Sequence, residues 1–576
     1  MKLLYKQNLL RLATVCWLLV TFAALAAMYQ LWWQRERALY LGKSVAEQRK
    51  IVFQRAGFPP VLAEKTAKLE RLWPTDLHYK ARGDANSLSY IQYLLIPRIP
   101  VNDAQHVIDV KGENLMASGG PLQPLADAPP AASGPKGLIL SFAVLLGWAA
   151  LLRKMWRGRA TWPESLALAC LFFTLLVLPT RLFFLSAQPA FGGSIILALV
   201  GWAMLTANVL VSKFFTPLPR PVPAAAMSRS EWIFIGLLGS IIALAVAWSF
   251  LMAVAVVPDD WDAWAIWGSK AKVLALGSGP LDDVTRFGHP DYPLLWPTIW
   301  AFSGWMAGGW EECWGKGWGA IFLFLCAWEM ISAVTQQSGN RTAGLLAAGL
   351  FVSIPIVPLI ASWSLAEAPL WLMMTCGLAS FLRWRREGRQ ADAVLASLFA
   401  AAAAHTKNEG LLFALLLGLL FLFNGRRAAK ASVSYLLIFS ACYFLWFWWL
   451  RLHLHIDSSA AASLHHFDAF TSVRHAAGRV VPAGKAIFAM WKDVRQWNIV
   501  GFGVGIALIS MLFQRTTWRD TLPFFLPTGL LAGYFVIILL NHEEIFWQIG
   551  TAWNRLTAQS LPLLLVPFFW RRKENS

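Results

Sequence analysis

Residues 232–267 read WIFIGLLGSIIALAVAWSFLMAVAVVPDDWDAWAIW, an apolar run that ends in Asp259, Asp260 and Asp262 set among Trp261, Trp264 and Trp267. About 20 apolar residues span a hydrocarbon core, so this stretch reads as a membrane helix. Indoles favour the headgroup layer, which puts the three carboxylates at a membrane rim. There a carboxylate can stay ionised near a lipid-borne substrate and take a proton from a hydroxyl.

The rest of the chain agrees with a membrane setting. Apolar residues make up 57% of it and charged residues only 14%, which excludes a disordered chain and a single soluble domain. The net charge of +18 comes from short Lys and Arg clusters between apolar runs, the pattern of positive-inside loops. No basic stripe joins a recognition fold, so nucleic acid is not an expected partner. Cys16, Cys170, Cys313, Cys326, Cys376 and Cys442 fall mostly inside apolar runs without CxxC spacing and read as small core residues. The basic stretch Met1 to Arg11 precedes an apolar run to Trp33 that contains Ala24-Leu25-Ala26; the run is too long for a signal-peptide core and reads as an uncleaved anchor.

Apolar spans fall near 12–33, 137–153, 163–186, 193–212, 232–256, 316–336, 342–361, 366–384, 391–404, 410–424, 432–452, 498–514, 521–541 and 556–570, or about fourteen helices. The expected fold is an all-α polytopic membrane protein with a small α/β extracytoplasmic insert. With a cytoplasmic start, the basic links 153–159, 213–229, 383–389, 426–430, 515–519 and 571–573 all fall inside. That parity requires Leu294 to Gly309 to be re-entrant or surface-lying, interrupted by Pro297 and its glycines.

Four regions follow: a signal-anchor helix (1–33), the insert (34–136), accessory transmembrane helices (137–231) and a catalytic membrane domain (232–576) with external loops 257–315 and 453–498. In the insert, Leu88 to Pro97 and His106 to Val110 read as strands and Pro121 to Pro135 as a linker. An interfacial helix is expected around Ala486 to Val494.

Four polar constellations share the external face in this topology. The acid cluster is followed by Lys270 and Lys272; then come His289, Asp291 and Tyr292 in FGHPDYP (287–293). Glu367 joins HTKNEG (405–410), which holds Lys407 and Glu409, and NHEE (541–544), with His542 and Glu543, precedes Arg555. Each also has a plain reading as solvated loop charge, rim ion pair or snorkelling cation. The histidines between 453 and 475 lack a paired carboxylate at ligand spacing, and no metal is expected there.

At these places the chain resembles the GT-C superfamily of membrane glycosyltransferases, in particular the protein O-mannosyltransferase and aminoarabinose transferase branch. DWDAW (260–264) stands where that family carries an acidic motif, and HPDYP (289–293) is similar to its His-Pro-x-x-Tyr-Pro-like segment. KNEG (407–410) looks like its Lys-x-Glu-Gly hinge, and Arg555 with Gln559 and Pro562 like its arginine before the last helix. The resemblance covers roughly Trp232 to Phe569 and leaves out the insert and the first four helices. The family often has an adjacent Asp-Glu pair, which this chain lacks.

The resemblance implies inverting transfer of a sugar from a polyprenyl-phosphate-linked donor to a lipid, glycan or protein acceptor, on the periplasmic face of a bacterial inner membrane with both termini cytoplasmic. Asp262 is the first choice of general base, then Asp260 and Asp259. Arg555, Lys407 and Lys270 are expected near the donor phosphate. His289, Asp291, Tyr292, Glu367, Glu409, His542 and Glu543 are expected to bind substrate. No cofactor is called for, while a divalent metal at the Asp259/Asp260/Asp262 cluster stays open. An O-antigen ligase or polymerase also stays open, because the 453–498 stretch could be its late loop. So does a lipid-linked glycan transporter, although Glu329 is the only deep acid and the halves do not repeat.

Overall fold

The computed structural model describes residues 26, 29–30, 39–40, 42–55, 61–72, 78–82, 91–96, 99–100, 106–111, 114–118, 134–156, 158–183, 229–276, 281–424, 428–457, 469–497, 521–541 and 544–569. Two helices open the described part, α1 (Val45–Arg55) and α2 (Val61–Leu72). Strands β1 (His78–Arg82), β2 (Ile99–Pro100), β3 (His106–Lys111) and β4 (Asn114–Ser118) form one sheet in the order β2-β1-β3-β4. β1 runs parallel to both neighbours and β3 antiparallel to β4. Residues 91–95 are helical, so the strand expected at Leu88 to Pro97 does not form there. The linker at 121–133 lies outside the described residues.

The helical body comprises α3 (Lys136–Met155), α4 (Trp162–Phe183), α5 (Arg229–Ala255), α6 (Ser269–Leu276), α7 (Leu295–Ala307), α8 (Gly317–Ser338), α9 (Arg341–Val352), α10 (Ile356–Ser362) and α11 (Glu367–Glu387). It continues through α12 (Gln390–Thr406), α13 (Asn408–Phe423), α14 (Ala429–Phe447), α15 (Ala469–Trp491), α16 (Phe525–Leu540) and α17 (Asn554–Phe569).

The chain is an α-helical membrane protein. Among the described residues, five helical stretches are long and apolar enough to cross a membrane: Lys136–Met155, Glu231–Ala255, Trp314–Ser338, Ala429–His453 and Leu522–Leu540. The pair α9 and α10, bent by 69°, makes a sixth if it counts as one broken span.

That corrects the expectation of about fourteen spans, and bending and length account for part of the difference. The expected span at 342–361 is this bent pair. α12, α13 and α17 have 17, 16 and 16 residues. At about 1.5 Å per residue they are shorter than a hydrocarbon core of about 30 Å. The expected spans at 12–33, 193–212 and 498–514 lie wholly or mostly outside the described residues.

α7 does not lie on the surface, one of the two forms expected for Leu294 to Gly309. Leu295 to Gly304 are all buried, and the helix packs on α3 and α6. Pro297 does not interrupt it because it sits in the first turn, where backbone N–H groups have no helical acceptor to lose. The helix ends at Gly308, whose φ of 85° is left-handed. Of the interfacial helix expected at 486–494, residues up to Trp491 belong to the longer α15, and Val494 opens a separate short helix to Trp497.

α11 lies at the centre, packed by α8, α12, α13, α17 and α4, and buried from Glu367 to Trp384. Its charged ends are both paired. At its C-terminal end Arg383 holds Glu164 at 2.5 Å and Asp392 at 3.2 Å. At its N-terminal end Glu367 enters the cluster described next. Buried carboxylates need such partners because an unpaired charge in an apolar interior is costly.

Candidate functional site

α5 ends at Ala255, and the acid loop follows it. Asp262 precedes a wide, π-helical turn over Ala263–Gly268, and a second such turn, Ile549–Trp553, precedes Arg555. Turns of this kind re-aim side chains out of helical register and recur at functional sites. Here they bring together residues 293 positions apart: Arg555 Nη1 donates to Asp262 Oδ2 at 2.5 Å.

The three acids thereby differ. Asp262 is held by Arg555, and Asp259 by Arg55 at 3.1 Å. Asp260 accepts a hydrogen bond from Asp262 N at 3.0 Å but has no ion-pair partner among the described residues.

Arg555 links the acid loop to the third constellation. Its Nε lies 3.5 Å from Glu367 Oε1, which accepts from Lys407 Nζ at 2.9 Å. Lys407 also pairs with Glu409 at 2.8 Å. Lys407 is the single extended residue between α12 and α13, and α13 can begin so close because a side chain at Gly410 would run into the Ala403 carbonyl.

Beside it, Asn408 donates to Asp291 Oδ2 at 2.7 Å, which joins the second constellation. His289 takes the left-handed backbone region at φ 50° and stacks on Tyr292, with ring centroids 4.6 Å apart. Tyr292 stacks in turn on Trp267. Lys270 fastens this turn by donating to the carbonyls of His289 (2.5 Å) and Tyr292 (3.2 Å). A non-glycine residue held at positive φ by such fastening is a form of stored strain that clusters at ligand sites.

A cavity of about 1110 Å³ opens on this assembly. One wall is apolar, from Trp248, Met252 and Val256 of α5 with Ile356 and Leu359 of α10. The lining also carries carboxamides: Gln496, Asn541, Gln548 and Asn554. Asn554 is fixed there by hydrogen bonds with Trp497 and Gln496. The same lining holds the three acids, Arg55, Lys316, Arg555, His289 and Tyr292. Such a lining suits a ligand that has both an apolar part and a part rich in hydroxyl groups.

The structure separates the expected cations. Arg555 faces the cavity. Lys270 and Lys407 are buried behind its wall, and neither lines it. Asp291, Glu367 and Glu409 also stand behind it, as supports. His542 and Glu543 lie outside the described residues.

Arg55 and Lys316 line the cavity without having been expected there. Lys316 follows the short stretch 309–315, and its Nζ donates to Val256 O at 2.8 Å. No group of three or more His, Cys, Asp or Glu side chains among the described residues is arranged to hold a metal ion.

Burial pushes the Asp260 carboxyl up to about 7, with the Asp262 and Asp259 charges adding to the rise and Arg555 opposing it. Burial lowers His289, which favours its neutral form. Burial also works against the Arg555 charge, but Glu367, Asp262 and Asp260 outweigh it and hold the guanidinium firmly protonated. Lys407 behaves likewise, kept charged by Glu367 and Glu409 against its burial. Burial brings Lys270 down to about 7, only partly countered by Asp291.

No family model matches the chain, and no curated protein or solved structure matches it at a significant level.

Proposed function

We propose that the protein is a membrane glycosyltransferase that moves a sugar from a polyprenyl-phosphate-linked donor to a hydroxyl of a lipid, glycan or protein acceptor. The observation that carries this reading is a single cavity holding a carboxylate with no ion-pair partner among the described residues, Asp260, beside a fixed guanidinium, Arg555, in a lining that also has apolar and carboxamide side chains. The finer architecture, a GT-C-like catalytic domain with its site on the periplasmic face, is part of the same proposal.

Transfer follows from these groups. The acceptor O–H loses its proton to a carboxylate oxygen of Asp260 while its oxygen forms a bond to the anomeric carbon. The bond from that carbon to the phosphate oxygen breaks on the opposite face, and its electron pair leaves as polyprenyl phosphate. The configuration inverts. Charge grows on the departing phosphate, where Arg555 and Lys316 would face it; fixed cations in a water-poor site stabilise such charge most when it develops in the transition state. Asp260 then releases the proton to water. Glu367, Lys407 and Glu409 hold Arg555 in place, and Lys270 with Asp291 and Asn408 holds the His289–Tyr292 turn against the sugar.

The reading has a definite pH consequence. A base must be ionised to act, and Asp260 sits near 7, so below that value it is mostly neutral and idle. The rate is therefore expected to climb about tenfold per pH unit on the acid side and to level off above about pH 7. Initial rates of transfer from a polyprenyl-phosphate sugar, measured across this range, check it. A flat profile from about pH 5.5 to 8.5 would contradict the assignment of Asp260 as base.

A further inference from the structure

The N-terminal region reaches the acid loop through contacts that the transfer reading leaves unused. α1 lies along the first part of the loop, from Ala255 to Asp259. Its Gln48 is buried, accepts from Val257 N at 3.0 Å and donates to Ala255 O at 3.3 Å. Arg49 pairs with Glu312 at 2.6 Å. Arg55, the last residue of α1, pairs with Asp259 at 3.1 Å and donates to the Tyr40 hydroxyl at 3.0 Å. From the other side Lys272 donates to the carbonyls of Tyr93 and Leu94, both at 3.1 Å. Of all these anchors, Arg55 lines the cavity, together with its partner Asp259.

The charges facing Asp260 come from several elements. Its own loop supplies Asp259 and Asp262, α17 supplies Arg555, α1 supplies Arg55, and the turn before α8 supplies Lys316. His289 and Asp493 face the same cavity, and Glu367 stands behind Arg555. Each acidic neighbour of Asp260 has an arginine on it: Asp262 has Arg555, which also reaches Glu367, and Asp259 has Arg55.

We propose that Arg55 is a positioning residue of the active site: it neutralises Asp259 so that Asp260 can ionise and act as base, which makes the N-terminal region part of the catalytic unit. The proposal deepens the transfer reading and rests on it. Without Arg55, Asp259 loses its ion pair, and the Lys316 charge that also acts on it only partly offsets its effect on Asp260. A like charge at such range disfavours ionisation of its neighbour by about 0.5 to 1 pH unit.

The test uses the full chain in detergent or nanodiscs. Arg55→Gln is expected to move the acid limb of the pH–rate profile up by about 0.5 to 1 unit, with little change in KM. Arg55→Lys keeps the limb in place. Arg55→Gln combined with Asp259→Asn returns it toward its original position, because both charges are gone. Arg49→Gln breaks a different α1 anchor and leaves the limb unmoved.

A second arm needs no substrate. Asp260→Cys is alkylated by a maleimide as its thiol ionises, with the parent chain measured for background. Arg55→Gln is expected to raise the midpoint of that pH dependence, and Asp259→Asn to reverse the rise. If no polyprenyl-phosphate sugar is ever transferred, the functional reading fails while this arm still reports on the Arg55–Asp259–Asp260 coupling. Uniform loss of activity in Arg55→Gln with an unmoved alkylation midpoint overturns the proposal, leaving Arg55 only a structural clasp. A raised acceptor KM that Asp259→Asn does not rescue also overturns it, in favour of direct ligand binding.

Discussion

Replacing Asp260 with Asn is expected to cut transfer by about 10²- to 10⁴-fold, the usual contribution of a positioned general base. The substitution keeps the shape of the side chain and its ability to accept the hydrogen bond from Asp262 N. It removes only the capacity to take a proton, so thermal unfolding in detergent should change little and the acid limb of the pH profile should vanish. Asp262→Asn is a useful contrast. Asp262 is already committed to Arg555, so its loss acts through the guanidinium and, by removing a negative neighbour of Asp260, should move the acid limb to lower pH without abolishing it. If Asp260→Asn retains full activity and Asp262→Asn abolishes it, the two roles are reversed.

Arg555→Met is the second large effect. The substitution strips the cation from Asp262 and from Glu367, which is 1% exposed. Removing one partner of a buried pair costs about 3 to 5 kcal/mol, because the other charge stays buried. The lower end applies here, since the Arg555 side chain is 20% exposed and Glu367 keeps Lys407. Transfer should fall by about 10²- to 10³-fold, as for loss of one fixed group that stabilises transition-state charge. Glu367→Gln added to Arg555→Met should recover part of the stability and none of the activity. Rates and unfolding midpoints measured on the same preparations separate the two. Recovery of activity along with stability would mean that Arg555 serves the fold alone.

Particular residues show how far the sequence could be read. The acid cluster was legible because carboxylates beside indoles at the end of an apolar run are out of place in any other setting. The number of crossings was not, because an apolar period reports burial and cannot tell a helix crossing lipid from one enclosed by other helices, such as α12. α7 misled in a second way: its proline looked like an interruption and is a first-turn residue.

In the site, Lys270 and Lys407 were visible as cations near acids, but only packing shows them turned inward against carbonyls and carboxylates. Arg555 had a local signal, its place before the last apolar run. Arg55 had none. It meets Asp259 across 204 residues of sequence, from a region the family resemblance does not reach. The ranking of the three acids was hidden for the same reason, since it depends on which distant arginine each one meets.

Transfer through Asp260 can be followed by incubating the protein in nanodiscs with a polyprenyl-phosphate sugar labelled in the sugar, together with an acceptor-bearing envelope lipid and glycan extract. Mass spectrometry then follows every labelled and unlabelled product. The account predicts polyprenyl monophosphate released one for one with labelled acceptor, the new linkage inverted at the anomeric carbon, and both products lost in Asp260→Asn. A donor that stays intact under these conditions, or products formed equally well by Asp260→Asn, would contradict it.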